Sequence, residues 1–272
     1  MPEDYPEYPN HKQLQAYFES YAKHFGVYKK IRFHHTIQKI TKTPNEEWKV
    51  EYTNASKKKK VEFFDVLMVA NGHHWDPKYP EYEGKFTGKF LHSHDFKGVT
   101  NEWKGKDILV IGAGNSACDV AVESARVANS VKLSMRSPQW FFPKFLFGMP
   151  SDVFAAKTPN WIPSIIKQFA LSKLIYILQG SYKNYGLPEN KNLALSHHPT
   201  LNSDLLDFIR HGRINPRPAI KKLHGKEVEF IDGTKERLTS SALAPAFGLR
   251  FLFLINRLSI FSTLKKFLSF AR

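Results

Sequence analysis

The sequence predicts an α/β fold, a doubly wound parallel sheet built on one strand–turn–helix–strand unit and joined to the remainder of a second domain with a small antiparallel β-meander. Three observations predict it. A buried strand over Asp107–Ile111 runs into the glycine-rich turn Gly112-Ala-Gly114, a helical stretch covers residues 116–128, and a second strand covers 131–135. Earlier in the chain, three short runs near residues 31–40, 48–52 and 61–69 are separated by Pro-Asn and Lys-rich turns, which reads as a meander. Residues 77–106, rich in Gly, Pro and aromatics, read as an irregular connection between the two halves.

The remaining elements follow in order. The first ten residues, rich in Pro and Tyr, read as extended. Leu14, Tyr17, Phe18, Tyr21 and Phe25 then recur at helical spacing, and Gly26 stops that helix. The third meander strand ends in Ala70-Asn71-Gly72-His73, where the glycine either lets a ligand approach the backbone or simply makes a turn. Residues 141–186 are apolar and aromatic, with a helix-like stretch over 165–178 that is either a substrate-side insertion or part of the core. A helix over 202–210 is capped near Ser203, and a strand over 228–232 enters a turn at Gly233.

Composition narrows the function classes. With 272 residues, 42% hydrophobic and 14% aromatic, the chain has the makings of one large core or two modest ones, which excludes wholesale disorder. The single cysteine, Cys118, cannot form an internal disulfide, which suits a reducing compartment. The His-His pairs at 34/35, 73/74 and 197/198 lack helical spacing and no partner thiol exists, so no metal site is expected. Met1-Pro-Glu-Asp is acidic and Pro-broken, unlike a signal peptide. No uncharged apolar run approaches the roughly 20 residues that span a bilayer. The expectation is a soluble, cytoplasmic protein without a transmembrane segment. The net charge of +15 fits either nucleic-acid binding or a basic enzyme that attracts anionic dinucleotides. The second reading is favoured and no nucleic acid is expected, because no nucleic-acid module is present and the basic residues are scattered. The one dense run, the lysines at 57–60, sits between two strands as a solvated hairpin loop.

The turn carries the chemistry. Gly112-Ala-Gly114-Asn115-Ser116-Ala117 has the pattern G-x-G-x-x-A between a strand and a helix. The first glycine makes the tight turn, the second lets a pyrophosphate reach the backbone, and small Ala117 lets helix and strand pack closely. The helix N-terminus then offers free N–H groups and the positive end of its dipole. This is a Rossmann-type dinucleotide-binding unit. An NAD site wants a carboxylate at the end of the second strand to hold the ribose 2′-hydroxyl. The chain offers Leu133-Ser134-Met135-Arg136-Ser137 instead. Arg136 either pairs with the 2′-phosphate of NADP(H), with Ser137 as an added donor, or is a surface arginine without a role.

Upstream stands Phe86-Thr-Gly88-Lys-Phe-Leu-His92-Ser-His-Asp-Phe96. This resembles the F-x-G-x-x-x-H-x-x-x-[Y/F] identifying sequence of flavin-containing monooxygenases, and the glycine turn follows at the distance of their NADPH-binding motif. Phe96-Lys97, where Baeyer–Villiger relatives carry Trp-Pro or Trp-Asp, resembles the N- or S-oxygenating branch. Tyr8-Pro9-Asn10-His11, Val69-Ala70-Asn71-Gly72-His73 and Gly212-Arg-Ile214 extend the resemblance over about residues 1–237. The resemblance implies NADPH, FAD and O2, with a small-molecule amine or sulfide as substrate. It implies NADP contacts at Gly112, Gly114, Asn115, Ser116, Ala117, Arg136 and Ser137, and places Ile37, Asn71 and Gly72 near FAD. Phe86, Gly88, His92 and Phe96 become structural supports at the junction of the domains. Catalytic residues are not assigned, and no pattern specifies an oligomeric state.

Two departures stand out. The family opens with a strand and a G-x-G-x-x-G turn for the FAD pyrophosphate, and this sequence carries neither, so FAD binding is doubtful and Met1 reads as an internal methionine of a chain truncated at both ends. After Arg237 the family pattern of a strand and a Thr-Gly-aromatic turn gives way to Leu238-Thr-Ser-Ser-Ala-Leu, which reads as a shifted frame. The expected organisation is therefore a partial FAD-type domain with its connection over 1–100, an NADP-binding domain with an insertion and a return to the FAD-type domain over 101–237, and an aberrant basic-apolar tail over 238–272. Three functions stay open: a flavin-dependent monooxygenase, an inactive NADP-binding fragment of one, or a basic module that binds nucleic acid or a membrane surface.

Overall fold

A computed structural model of the chain describes residues 2–72, 77, 79–238 and 243–245. The chain folds as two compact units, one with its described part at residues 2–72 and the other spanning His73–Phe251. Most of the tail read from the sequence, at 239–242 and 246–272, lies outside the described residues, as does His73.

In the first unit, helix α1 (His11–His24) starts in a capping box. Asn10 Oδ1 accepts from the backbone N–H of Lys12 and Gln13, and Gln13 Oε1 accepts from the Asn10 N–H at 2.9 Å. Its aromatic stripe is present, with Tyr17, Tyr21 and Phe25 stacked along the helix, yet no residue of α1 is buried. The meander is present as β1 (Thr36–Lys42), β2 (Trp48–Thr53) and β3 (Lys59–Phe64), antiparallel in that order. Two boundaries differ from the sequence expectation. The first strand starts five residues later than the expected 31, because a turn at Phe33-His34, with His34 at φ 58°, interrupts that stretch. The third starts within the lysine run and ends at Phe64, so the run is half turn and half strand, and Asn71-Gly72 follows irregular backbone instead of a strand end. Arg32 grips Glu62 with two hydrogen bonds at 2.8 and 2.9 Å, and the Tyr52 hydroxyl donates to the same carboxylate. These bonds hold Glu62 down to about 2. A depressed carboxylate stabilises the fold above the ordinary carboxylate range and loses that contribution as pH falls toward 2.

The second unit contains the expected βαβ unit. Strand β4 (Glu83–Phe86) comes first, inside the stretch expected to be irregular. Then come β5 (Asp107–Ile111), α2 (Asn115–Ala125) and β6 (Ser130–Ser134). The insertion follows: β7 (Phe141–Phe142), a hairpin of β8 (Phe145–Leu146) and β9 (Met149–Pro150), α3 (Ser151–Ala156), α4 (Ser164–Gln179) and β10 (Thr200–Leu201), which pairs with β7 in parallel. Helix α5 (Leu205–Arg210) leads to β11 (Ile214–Arg217), β12 (Ile220–Gly225), β13 (Glu227–Phe230), β14 (Lys235–Arg237) and β15 (Leu243–Pro245). Helix α5 starts three residues later than expected. The side chain of Asn202, not Ser203, accepts from Asp204 and Leu205, while Ser203 Oγ is taken by the Lys144 N–H.

The parallel sheet runs β11-β6-β5-β15, and a second four-stranded sheet runs β14-β13-β12-β4. Strand β5 shows why the run Asp107–Ile111 is so apolar. Ile108 and Val110 pack on the side of α2, Val120 and Leu205, whereas Leu109 and Ile111 pack with Ile220, Leu223, Val228 and Phe230 of the second sheet. A strand covered on both faces reads as a continuous hydrophobic run. Strand β15 lies beside β5 in parallel, in a segment whose sequence gave no strand signal. In α4 only Ser172 and Ile175 are buried, which accounts for the undecided periodicity of that stretch. No helix among the described residues is long and apolar enough to cross a membrane.

Candidate dinucleotide site

The site lies where β5 ends. Gly112 takes φ +106°, a conformation that L side chains rarely adopt, and its N–H donates to the Ser134 carbonyl at 2.8 Å. That bond ties the turn to the end of β6, which runs alongside β5 with Ile111 opposite Ser134. Gly114 is the N-cap of α2, with φ −77° and ψ 173°, and no side chain caps the helix. A methyl group at Gly114 would meet nothing within 4 Å. The fold itself therefore does not require glycine at 114, although a ligand lying against the backbone does. The first hydrogen bond of the helix is Cys118 N–H to Gly114 O, so the N–H groups before it have no helical partners. No acidic residue stands in the first turn to oppose an anion. At the other end, Arg213 donates to the Ala125 carbonyl at 2.6 Å and satisfies the negative end of the dipole.

The predicted residues of the turn come together here and divide the work. Ala117 is fully buried between helix and sheet. Replacing it with Leu should lower stability by about 1–3 kcal/mol through overpacking. Chemical denaturation checks this, and an unchanged midpoint would contradict the packing role. Ser116 is half-buried at the helix start. The Asn115 side chain is already engaged, because its Oδ1 accepts from the Leu201 N–H at 2.6 Å. Thr200 Oγ1 donates to the Ala113 carbonyl at 2.7 Å, and Asn202 Nδ2 donates to Asp119 at 2.9 Å. Residues 200–202 thus clamp the turn from a point more than eighty residues away. The sequence showed no periodic signal for this clamp beyond a polar Thr-Leu-Asn triplet.

Arg136 and Ser137 are exposed just past the end of β6. Met135 N–H donates to the Arg217 carbonyl at 3.0 Å and Ser134 Oγ to the Pro218 carbonyl at 2.7 Å, so the strand end beneath them is fixed on β11. Arg136 has no carboxylate partner among the described residues. Its charge is felt at Tyr82, where burial raises the phenol pKa and the guanidinium opposes that rise. Cys118, on α2 behind the turn, is buried, and burial pushes its thiol well above the ordinary range.

The upstream motif is a packed knot inside the second unit. A Cβ at Gly88 would lie 2.5 Å from the Phe86 ring, so any larger residue there would push that ring aside. His92 is fully buried, accepts from the His94 N–H at 3.0 Å through Nδ1, and meets Tyr79 edge-on. Phe96 packs edge-to-face on Trp103 at 5.2 Å, against the α2 core. Ile37 and Asn71-Gly72 lie in the first unit and are exposed, with Gly72 at φ +73°.

A parallel sheet with a glycine turn opening on a bare helix N-terminus defines a Rossmann-type dinucleotide-binding domain. The chain belongs to the flavin-binding monooxygenase-like family, whose pattern matches residues 1–269. The match continues well past Arg237, where the resemblance read from the sequence stops. Flavin-containing monooxygenase 5 of Homo sapiens is 34% identical over 249 residues, 87% of this chain and 46% of that protein. The N-oxide-forming dimethylaniline monooxygenase 2 of Oryctolagus cuniculus is 35% identical over 251 residues, with the same two shares. The chain spans about half the length of the curated relatives it matches. Among solved structures, cyclohexanone monooxygenase in its loose conformation shares the fold at TM-score 0.68 and 13% identity, over 89% of this chain and 59% of that one. A flavin monooxygenase from Stenotrophomonas maltophilia does so at TM-score 0.62 and 17% identity, over 92% and 61%.

Proposed function

We propose that the chain binds NADP(H) at the turn Gly112–Ala117, with Arg136 and Ser137 at the 2′-phosphate, and serves flavin-dependent oxygenation of a soft nitrogen or sulfur nucleophile. The carrying observation is Gly114, a helix cap without a side-chain partner whose missing Cβ leaves open space in front of free N–H groups. The pyrophosphate lies against those groups, as at other glycine-turn helix ends. Arg136 stands where an NAD site keeps its carboxylate. The N-oxide-forming activity in the name of the rabbit relative supports an amine as substrate.

The flavin is a different matter. The family uses FAD to activate O2. Among the described residues one strand–glycine turn–helix cradle is present, and it is the one assigned to NADP(H). Exposed Ile37, Asn71 and Gly72 do not make a second pyrophosphate cradle, so the described residues do not fit FAD by themselves. This favours a second reading, in which a polypeptide of these 272 residues binds NADP(H) without catalysis. Such a polypeptide, purified alone, should carry far less than one FAD per chain by absorbance while still binding NADP(H) by calorimetry. A yellow preparation with one flavin per chain and NADPH-dependent oxygenation of an amine would overturn the second reading. Absence of NADP(H) binding would overturn both.

A further inference from the structure

Three consecutive residues at the end of the insertion, Thr200, Leu201 and Asn202, each hold a different point of the glycine turn and its helix. Thr200 is the one that reaches between the two glycines. It is buried, and its Oγ1 donates to the Ala113 carbonyl at 2.7 Å. The direction of that bond follows from the other neighbour. Gln139 Nε2, which can only donate, reaches the same oxygen at 3.2 Å, so the hydroxyl accepts from Gln139 and points its own proton at Ala113. Thr200 is itself fixed along β7, because its N–H donates to the Trp140 carbonyl at 3.0 Å and that of Asn202 to the Phe142 carbonyl at 2.9 Å.

The bond to Ala113 orients a peptide plane. The Ala113 carbonyl and the Gly114 N–H belong to one trans peptide and point in opposite directions. The buried Cys118 thiol also approaches this carbonyl, at 3.6 Å. With the carbonyl held toward Thr200 and Cys118, the Gly114 N–H is turned away from both buried side chains. The turn's own backbone does not enforce that orientation. Reversing the plane changes only ψ of Ala113 and φ of Gly114, and glycine accepts a φ of either sign. The reversed peptide would set a carbonyl oxygen where an anion needs a donor.

We infer that Thr200 is a positioning residue for dinucleotide binding, whose hydroxyl holds the Ala113–Gly114 peptide with the Gly114 N–H presented to the pyrophosphate. The inference rests on the NADP(H) reading of the glycine turn. It makes the end of the insertion part of the dinucleotide site through a buried side chain.

The test is calorimetric titration of the 272-residue chain with NADP+ and NAD+, beside the amide spectrum of the ligand-free chain. Thr200→Val keeps the branched shape and removes the hydroxyl. It should weaken both nucleotides by the same factor of about ten, since the pyrophosphate is common to them and one hydrogen bond to a charged group is lost. The Gly114 amide signal should move in the ligand-free spectrum of that variant. Thr200→Ser keeps the hydroxyl and should bind both nucleotides as the wild type does, with the Gly114 signal in place, although its thermal midpoint falls with the loss of a buried methyl group. The serine variant keeps the test decisive should the valine variant fail to fold. Wild-type affinities in folded Thr200→Val, or a loss of binding in Thr200→Ser, would overturn the positioning role and leave the turn assignment standing. Failure of the wild type to bind either nucleotide would overturn the NADP(H) reading and the positioning role with it.

Discussion

Arg136→Ala should erase most of the preference for NADP+ over NAD+ and leave NAD+ affinity nearly unchanged. The 2′-phosphate carries close to two negative charges, and a guanidinium fork matches its oxygens better than an ammonium does. A hydrogen bond to a charged group contributes about 1.5–3 kcal/mol, which is roughly a ten- to hundred-fold ratio of affinities. The residue is exposed and pairs with no carboxylate among the described residues, so its removal should not disturb the fold. Titration of both cofactors against wild type and variant checks this. Equal affinities in the wild type would mean that Arg136 points elsewhere, and the NADP(H) assignment would fall.

The second large effect concerns Gly114 and its neighbour Gly112. Gly114→Ala places a methyl group in open space at an ordinary backbone conformation. The weaker helix cap and the stiffer unfolded chain roughly offset, so stability should change by less than about 1 kcal/mol. Binding should collapse by more than about tenfold, because the methyl group stands between the phosphates and the N–H groups and charged hydrogen bonds are lost. Gly112→Ala should behave differently. At φ +106° any side chain is strained, at a cost of about 1–3 kcal/mol, so stability and binding fall together. Paired denaturation and calorimetry separate the two. Gly114→Ala that binds NADP+ as the wild type does would show that no ligand approaches there.

Local patterns in the sequence reached far, and non-local ones did not. The run Asp107–Ile111 is covered on both faces, and the glycine turn is specified by six adjacent residues, so both are legible without a structure. The helical stripe of α1 is likewise local, whereas its start rests on a capping box at Asn10 and Gln13 that the stripe alone does not reveal. Strand β4 went unread because its register partner, β12, stands 139 residues away at Lys222 and Glu83. Strand β15 is three residues long and takes its conformation from β5. Asn115 was read as a contact to the dinucleotide, and the sequence held no hint that Leu201 occupies its side-chain oxygen.

The most direct measurement is amide chemical-shift mapping of the isotope-labelled chain during titration with NADP+. The largest shifts are expected at the amides of Gly114, Asn115, Ser116 and Ala117, with a second group at Arg136 and Ser137. Titration with NAD+ should reproduce the first group and lose the second. Shifts confined to residues 2–72, or none at the turn at saturating NADP+, would contradict the assignment of the dinucleotide to the end of β5.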